Sequence, residues 1–274
     1  MPFLNVNGTR LYYEDTGGSG EPLVFSHGLL WNCRMFDKQV AALKDRYRCI
    51  AYDHRGQGQS DVWKVDTVDM ETVYADAVGL IEQLGAGPCH FAGLSMGGFV
   101  GMRMAVQRPD LLRSLILLET SADPEPEQNV PRYKALNFTA RWFGLRLVAD
   151  RVMRIMFGRT FLEDPARSEE RAEWRRRLMG NRRDIWRAVN GVIRRRGVYE
   201  ELSRIKTPTL VLVGAEDVAT VPAKAERIHA AIAGSKLVKL PRGGHTSSVE
   251  EPELMNAALV SFLEEVSSTP RQVG

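Results

Sequence analysis

Two hydrophobic periodicities alternate along this chain. Short, nearly continuous apolar runs stand at Leu23 to Ser26, Arg48 to Tyr52, His90 to Ala92, Ser114 to Leu118, Thr209 to Val213 and Lys236 to Leu240, the pattern of strands buried on both faces of a parallel sheet. Between them lie stretches with apolar residues at helical spacing, such as Asp69 to Leu84, where Val73, Ala77, Leu80, Ile81 and Leu84 share one face. Repeated strand, helix, strand predicts an α/β domain with helices on both sides of a largely parallel sheet. Ahead of the first run, Phe3 to Val6 and Arg10 to Asp15 flank Asn7-Gly8, a two-residue hairpin signal. The sheet is therefore expected to open with an antiparallel ribbon.

The alternation stops between Asp123 and Lys206, where the chain turns helical, rich in Arg and empty of strand patterns, and it resumes after Thr207-Pro208. This predicts one domain made of residues 1–122 and 207–266, interrupted by a helical insertion over 123–206. The polar stretch 267–274, with Pro270, reads as a frayed tail. A length of 274 residues, 44% hydrophobic and 26% charged, suits such a domain and excludes disorder, collagen-like repeats and coiled coil. Cys33, Cys49 and Cys89 are an odd number without metal-ligand spacing, so free thiols are expected. The first residues show no basic stretch leading into an apolar core, and no apolar run approaches a membrane span, so a cytoplasmic protein without a span is expected. A net charge of +3 does not require nucleic acid as a partner; a small molecule fits, and a homo-oligomer stays open.

The chemistry collects at loops that follow strands. Gly93-Leu94-Ser95-Met96-Gly97 joins a strand to a helix as G-x-S-x-G, a turn tight enough to need small neighbours and to hold the serine hydroxyl out at the carboxyl edge of a sheet. A serine needs a base, and the base an orienting acid. Of five histidines, His245 lies in the glycine loop Pro241 to His245 after the last strand, before Glu250-Glu251-Pro252 opens the final helix. His90, inside a strand, and His229, in an alanine-rich helix, read as packing residues. Asp217, just past the strand Thr209 to Val213, is the favoured acid, ahead of Glu216, with Glu119 and Asp123 as rivals. Backbone N–H groups of Met96 and of Leu29, in the sharp turn His27-Gly28-Leu29, are the candidate oxyanion donors. His27 reads as holding that turn. Asp53 to Ser60 contains G-x-G but lacks the rest of the nucleotide fingerprint, and reads as a structural turn.

Taken together, His27-Gly28, Asp53-x-Arg55-Gly56-x-Gly58-x-Ser60, Gly93-x-Ser95-x-Gly97 and Asp217 with His245 stand in the order of one family. The chain resembles α/β-hydrolase fold proteins, most closely the enol-lactonase and small carboxylesterase branch. The resemblance implies an eight-stranded, mostly parallel sheet flanked by helices, a Ser95-Asp217-His245 triad acting through an acyl-enzyme, no cofactor or metal, and a helical cap formed by the insertion. Perhydrolase or cofactor-free haloperoxidase, C–C bond hydrolase and acyltransferase activities use the same machinery. A haloalkane dehalogenase is disfavoured, because it needs a carboxylate where Ser95 stands. From another class, a small-molecule sensor can keep such a pocket and recruit a protein partner.

Charge sharpens this picture. Pro124 to Lys206 holds 20 Lys and Arg against 11 Asp and Glu, a local +9, and leaves −6 on the rest. A basic lid suits acidic substrates such as carboxylated lactones; the alternative is solvated helix faces, since Arg175-Arg176-Arg177 and Arg194-Arg195-Arg196 cannot all point inward. Trp142, Phe143, Met153, Met156, Phe157 and Trp186 line a pocket on one reading and form the insertion's own core on the other.

Overall fold

A computed structural model describes residues 2–62 and 65–268. Asn7 and Gly8 both take positive φ, 46° and 73°, as a tight hairpin demands, and join β1 (Phe3–Val6) to β2 (Thr9–Asp15). β3 (Glu21–Ser26), β4 (Tyr47–Tyr52), β5 (Cys89–Leu94), β6 (Leu112–Leu118), β7 (Thr209–Gly214) and β8 (Lys236–Leu240) follow. They form one eight-stranded sheet in the order β1-β2-β4-β3-β5-β6-β7-β8. β1 pairs antiparallel with β2, and β2 with β4; every other pairing is parallel. Each expected strand is present, several one to three residues longer than the apolar run that announced it.

Strand alternation sends side chains to two cores. Leu23, Phe25, Ala92 and Leu94 pack with α1 (Asp37–Leu43) and the last helix, while Val24, Phe91 and Val211 pack against α2 (Met70–Gln83), α3 (Met96–Gln107) and the Pro-initiated helix after β7. Asp69 caps α2, its Oδ1 accepting the Thr72 N–H at 2.7 Å.

Between β6 and β7 the described chain has no strand. It forms α4 (Val130–Phe143), α5 (Ala149–Met156), α6 (Arg159–Glu163), α7 (Ser168–Met179) and α8 (Trp186–Ile193). α4 is tied to α8 by Asn137, whose Nδ2 donates to the Trp186 carbonyl at 3.1 Å and to Asn190 Oδ1 at 2.9 Å. Gly144, at φ 90°, ends α4. After β7 come α9 (Pro222–Ala231), then, beyond β8, α10 (Ser247–Glu250) and α11 (Pro252–Ser268). Two expectations change here. Glu250 closes a short helix of its own and the final helix starts at Pro252; and Ser267 and Ser268, assigned to a frayed tail, complete α11, while 269–274 lie outside the described residues.

Candidate active site

Because β3 and β5 to β8 run parallel, with a register shift between β5 and β6 confined to Cys89 and His90, the loops at their carboxyl ends open on one edge of the sheet. Ser26 sits level with Gly93, Leu94 with Leu118, and Gly214 with Leu240. Ser95 lies between β5 and α3 at φ 53°, ψ −106°, a backbone region that costs a non-glycine residue about 1–3 kcal/mol. The elbow closes only because its flanks lack side chains. A Cβ on Gly93 would lie 2.2 Å from the Gly97 carbonyl oxygen, and one on Gly97 2.0 Å from that of Ser26.

Ser95 Oγ lies 2.8 Å from His245 Nε2, and His245 Nδ1 lies 2.9 Å from Asp217 Oδ2. All three residues are buried. Burial alone would push the Asp217 carboxyl up, but the neighbouring His245 imidazole, the Thr220 N–H and the Thr220 hydroxyl hold it below the usual carboxylate range. Its Oδ1 accepts the Ala219 and Thr220 N–H groups at 2.8 and 2.9 Å, and the Thr220 hydroxyl donates to Oδ2 at 2.7 Å. An ionised Asp217 only accepts, so His245 Nδ1 carries a proton and Nε2 presents a lone pair to the Ser95 hydroxyl. This arrangement can draw a proton from the serine as its oxygen attacks an electrophile.

Leu29 lines the same cavity as Ser95 and His245, and Met96 opens α3 directly after Ser95. Among the described residues, neither N–H meets an acceptor. The turn that carries Leu29 is pinned by His27, whose Nε2 accepts the His54 N–H at 3.0 Å, and by the Leu30 N–H donating to Gln57 Oε1 at 2.9 Å. Asp53 accepts the N–H groups of Cys33 and Gln59 at 2.8 and 2.7 Å, which makes Asp53 to Ser60 an internally bonded turn.

The rival acids lie elsewhere. Asp123 pairs with Lys224 at 2.6 Å and Arg227 at 3.3 Å. Glu216 accepts the N–H and hydroxyl of Thr160. Glu119 is fully buried and accepts the Ser247 hydroxyl at 2.5 Å, with burial, Asp217 and Glu250 pushing its carboxyl well up. His90 bonds Ser114 and Glu21, and His229 bonds Ser235.

Two partners escaped the sequence reading. Thr220 is one; the short spacing Asp-x-x-Thr, a familiar setting for local turn bonds, was the available signal. Glu250 is the other. Its Oε2 accepts the N–H groups of Gly158, between α5 and α6, at 2.8 Å and of Gly244 at 3.0 Å, and its Oε1 that of Thr246 at 3.2 Å. One buried carboxylate thus ties the loop of His245 to the helical segment. No short-range pattern announces a contact spanning 92 residues.

The cavity of about 130 Å³ beside Ser95 is walled mainly by Leu29, Phe99, Leu136, Val152, Met156 and Ile193. Met156 lines it, whereas Met153, Phe157 and Trp186 are buried in packing, Phe157 stacked on Phe161. Trp142 and Phe143 do neither, being 58% and 64% exposed. Several arginines of the segment meet acids near its surface: Arg167 with Glu170, Arg175 with Asp150, Arg176 and Arg177 with Glu173.

A sheet of this order with a serine turned out between β5 and α3 defines the α/β-hydrolase fold class. A family model described as "Alpha/beta hydrolase family" matches residues 23–258, and the chain belongs to that family. It is 28% identical to 3-oxoadipate enol-lactonase 2 of Acinetobacter baylyi over 95% of each chain. It is 26% identical to a Pseudomonas savastanoi protein provisionally named carbamate hydrolase RutD, over 88% of this chain and 93% of that one. Among solved structures, the enol-lactonase from Burkholderia xenovorans superposes with a TM-score of 0.88 at 30% identity, over 96% of this chain and 100% of that one.

Proposed function

We propose that this hydrolase cleaves a carboxylic ester or lactone through a covalent acyl-enzyme. The observation that carries the reading is the unbroken line from Ser95 Oγ through His245 to Asp217, at 2.8 and 2.9 Å, opening on an apolar cavity. Ser95 Oγ attacks the carbonyl carbon while its proton passes to His245 Nε2, giving a tetrahedral oxyanion received by the Leu29 and Met96 N–H groups. The C–O bond to the alcohol then breaks as His245 returns that proton to the leaving oxygen. Water, deprotonated by His245, releases the acid and restores Ser95. Asp217 stays ionised and holds the imidazolium. The helices over 123–206 act as a cap that shapes the cavity, on a core of residues 1–122 and 207–266. The enol-lactonase names of two relatives support this reading.

The test is turnover of p-nitrophenyl esters and simple lactones. Ser95→Ala is expected to lose at least about 10⁴-fold in kcat with its thermal midpoint near that of the wild type, and Asp217→Asn on the order of 10⁴-fold. Near-normal turnover in Ser95→Ala overturns the assignment. Retained activity in Asp217→Asn together with loss in Glu119→Gln moves the acid to Glu119. The carbamate hydrolase name of one relative supports a second reading, since the same attack opens a carbamate carbonyl; faster turnover of an aryl carbamate than of its matched ester selects it.

A further inference from the structure

Only two ionic side chains other than His245 line the cavity beside Ser95 among the described residues, Glu125 and Arg195, and they neutralise each other. Arg195 Nη1 donates to Glu125 Oε2 at 2.7 Å, with side-chain exposures of 4% and 10%. Nη1 also reaches the Val192 carbonyl at 3.0 Å, Nε donates to the Asp123 carbonyl at 3.1 Å, and the group lies 4.5 Å from the centre of the Phe99 ring. Glu125 Oε1 accepts from Asn129 Nδ2 at 3.1 Å. The cations that make the segment basic therefore put no unspent charge on the cavity wall. A carboxylate entering here would meet Glu125 and find Arg195 already committed, and an unpaired charge taken out of water is costly. Apolar walls enclosing about 130 Å³ instead match a ring, since a dry cavity of roughly 150 Å³ holds benzene.

We infer that the cavity accepts an uncharged, apolar group about the size of a benzene ring or a short alkyl chain, and that the Glu125–Arg195 pair excludes substrates carrying a carboxylate there. The inference rests on the ester or lactone hydrolase reading and names its substrate class. Glu125 is a specificity residue: its charge cancels a cation that would otherwise recruit anions.

The experiment compares kcat/KM for pairs of similar size that differ in charge, on each side of the scissile bond. On the acyl side these are p-nitrophenyl hexanoate and the mono-p-nitrophenyl ester of adipate; on the alcohol side, benzyl acetate and 4-carboxybenzyl acetate. Wild type is expected to favour the neutral member by at least roughly 30-fold on one side. Glu125→Gln, which keeps an acceptor for Arg195 but removes the negative charge, is expected to shift that ratio at least about tenfold toward the anion, and Glu125→Asp to leave the neutral preference in place. Equal or better turnover of the anionic member on both sides overturns the inference while leaving the hydrolase reading intact. If no ester is cleaved, the hydrolase reading fails and binding decides the inference: 4-methylacetophenone is expected to raise the thermal midpoint of the wild type and 4-acetylbenzoate to leave it unmoved. An equal rise with both overturns it.

Discussion

Ser95 holds its place in the turn at a conformational cost. Its φ of 53° with ψ −106° is a region that glycine enters freely and other residues do not. Ser95→Gly is therefore expected to abolish ester turnover yet unfold no earlier than the wild type, and up to about 1 kcal/mol later, in a denaturant titration. A loss of stability larger than that would show the turn to be unstrained. The serine, its histidine and the acid were legible because each stands in a short sequence signal tied to a strand end. The choice of Asp217 over Glu216 followed from spacing, and the structure brings Asp217 to His245 while Glu216 meets Thr160 and the rival Glu119 meets Ser247. Glu125 and Arg195 were not legible as a pair, because 70 residues separate them and nothing local distinguishes Arg195 from Arg194 or Arg196.

At the scale of elements, strands were read well and loops poorly, for a physical reason. A strand buried on both faces must be largely apolar, so the runs Ser114 to Leu118 and Thr209 to Val213 mark most of β6 and β7. The junction of α5 and α6 with the loop before α10 is held by one carboxylate with three backbone donors and by the Thr246 hydroxyl donating to the Met156 carbonyl at 2.7 Å, contacts without periodicity. That carboxylate makes a prediction. Burial pushes the Glu250 carboxyl up to about 7, against the three N–H groups that favour its charged form, with Asp217 adding to the rise. A carboxyl that binds its proton more tightly when folded stabilises the fold most at low pH. That contribution is expected to fade as pH rises from its ordinary value of 4.5 to about 7, by about 3 kcal/mol. Unfolding free energies measured across this range for wild type and Glu250→Gln should diverge accordingly. A constant difference between them would mean that Glu250 is already ionised at pH 5.

Across the whole molecule, the division of charge between segment and body was correctly countable from the sequence, yet its location was not. Several of the segment's arginines meet acids at its surface, and the one that reaches the cavity is cancelled there. The three cysteines are free and buried, in or beside the sheet. Burial raises all three thiols, those of Cys49 and Cys89 to about 12, so little reactive thiolate exists at neutral pH. A thiol-specific disulfide reagent is expected to label none of them in the native protein and all three in denaturant; rapid native labelling would mean that the core opens on the time scale of the assay.

The order of the strands has one more consequence. An open sheet ends in two rows of unpaired backbone groups, which invite other strands to add on. Here one border is β1, only four residues long, and the other is β8, whose Lys236 and Lys239 stand exposed and pair with Glu265 and Glu226. A short border and a lysine-studded one are poor templates for growth, so resistance to edge-to-edge aggregation is built into the two ends of the sheet.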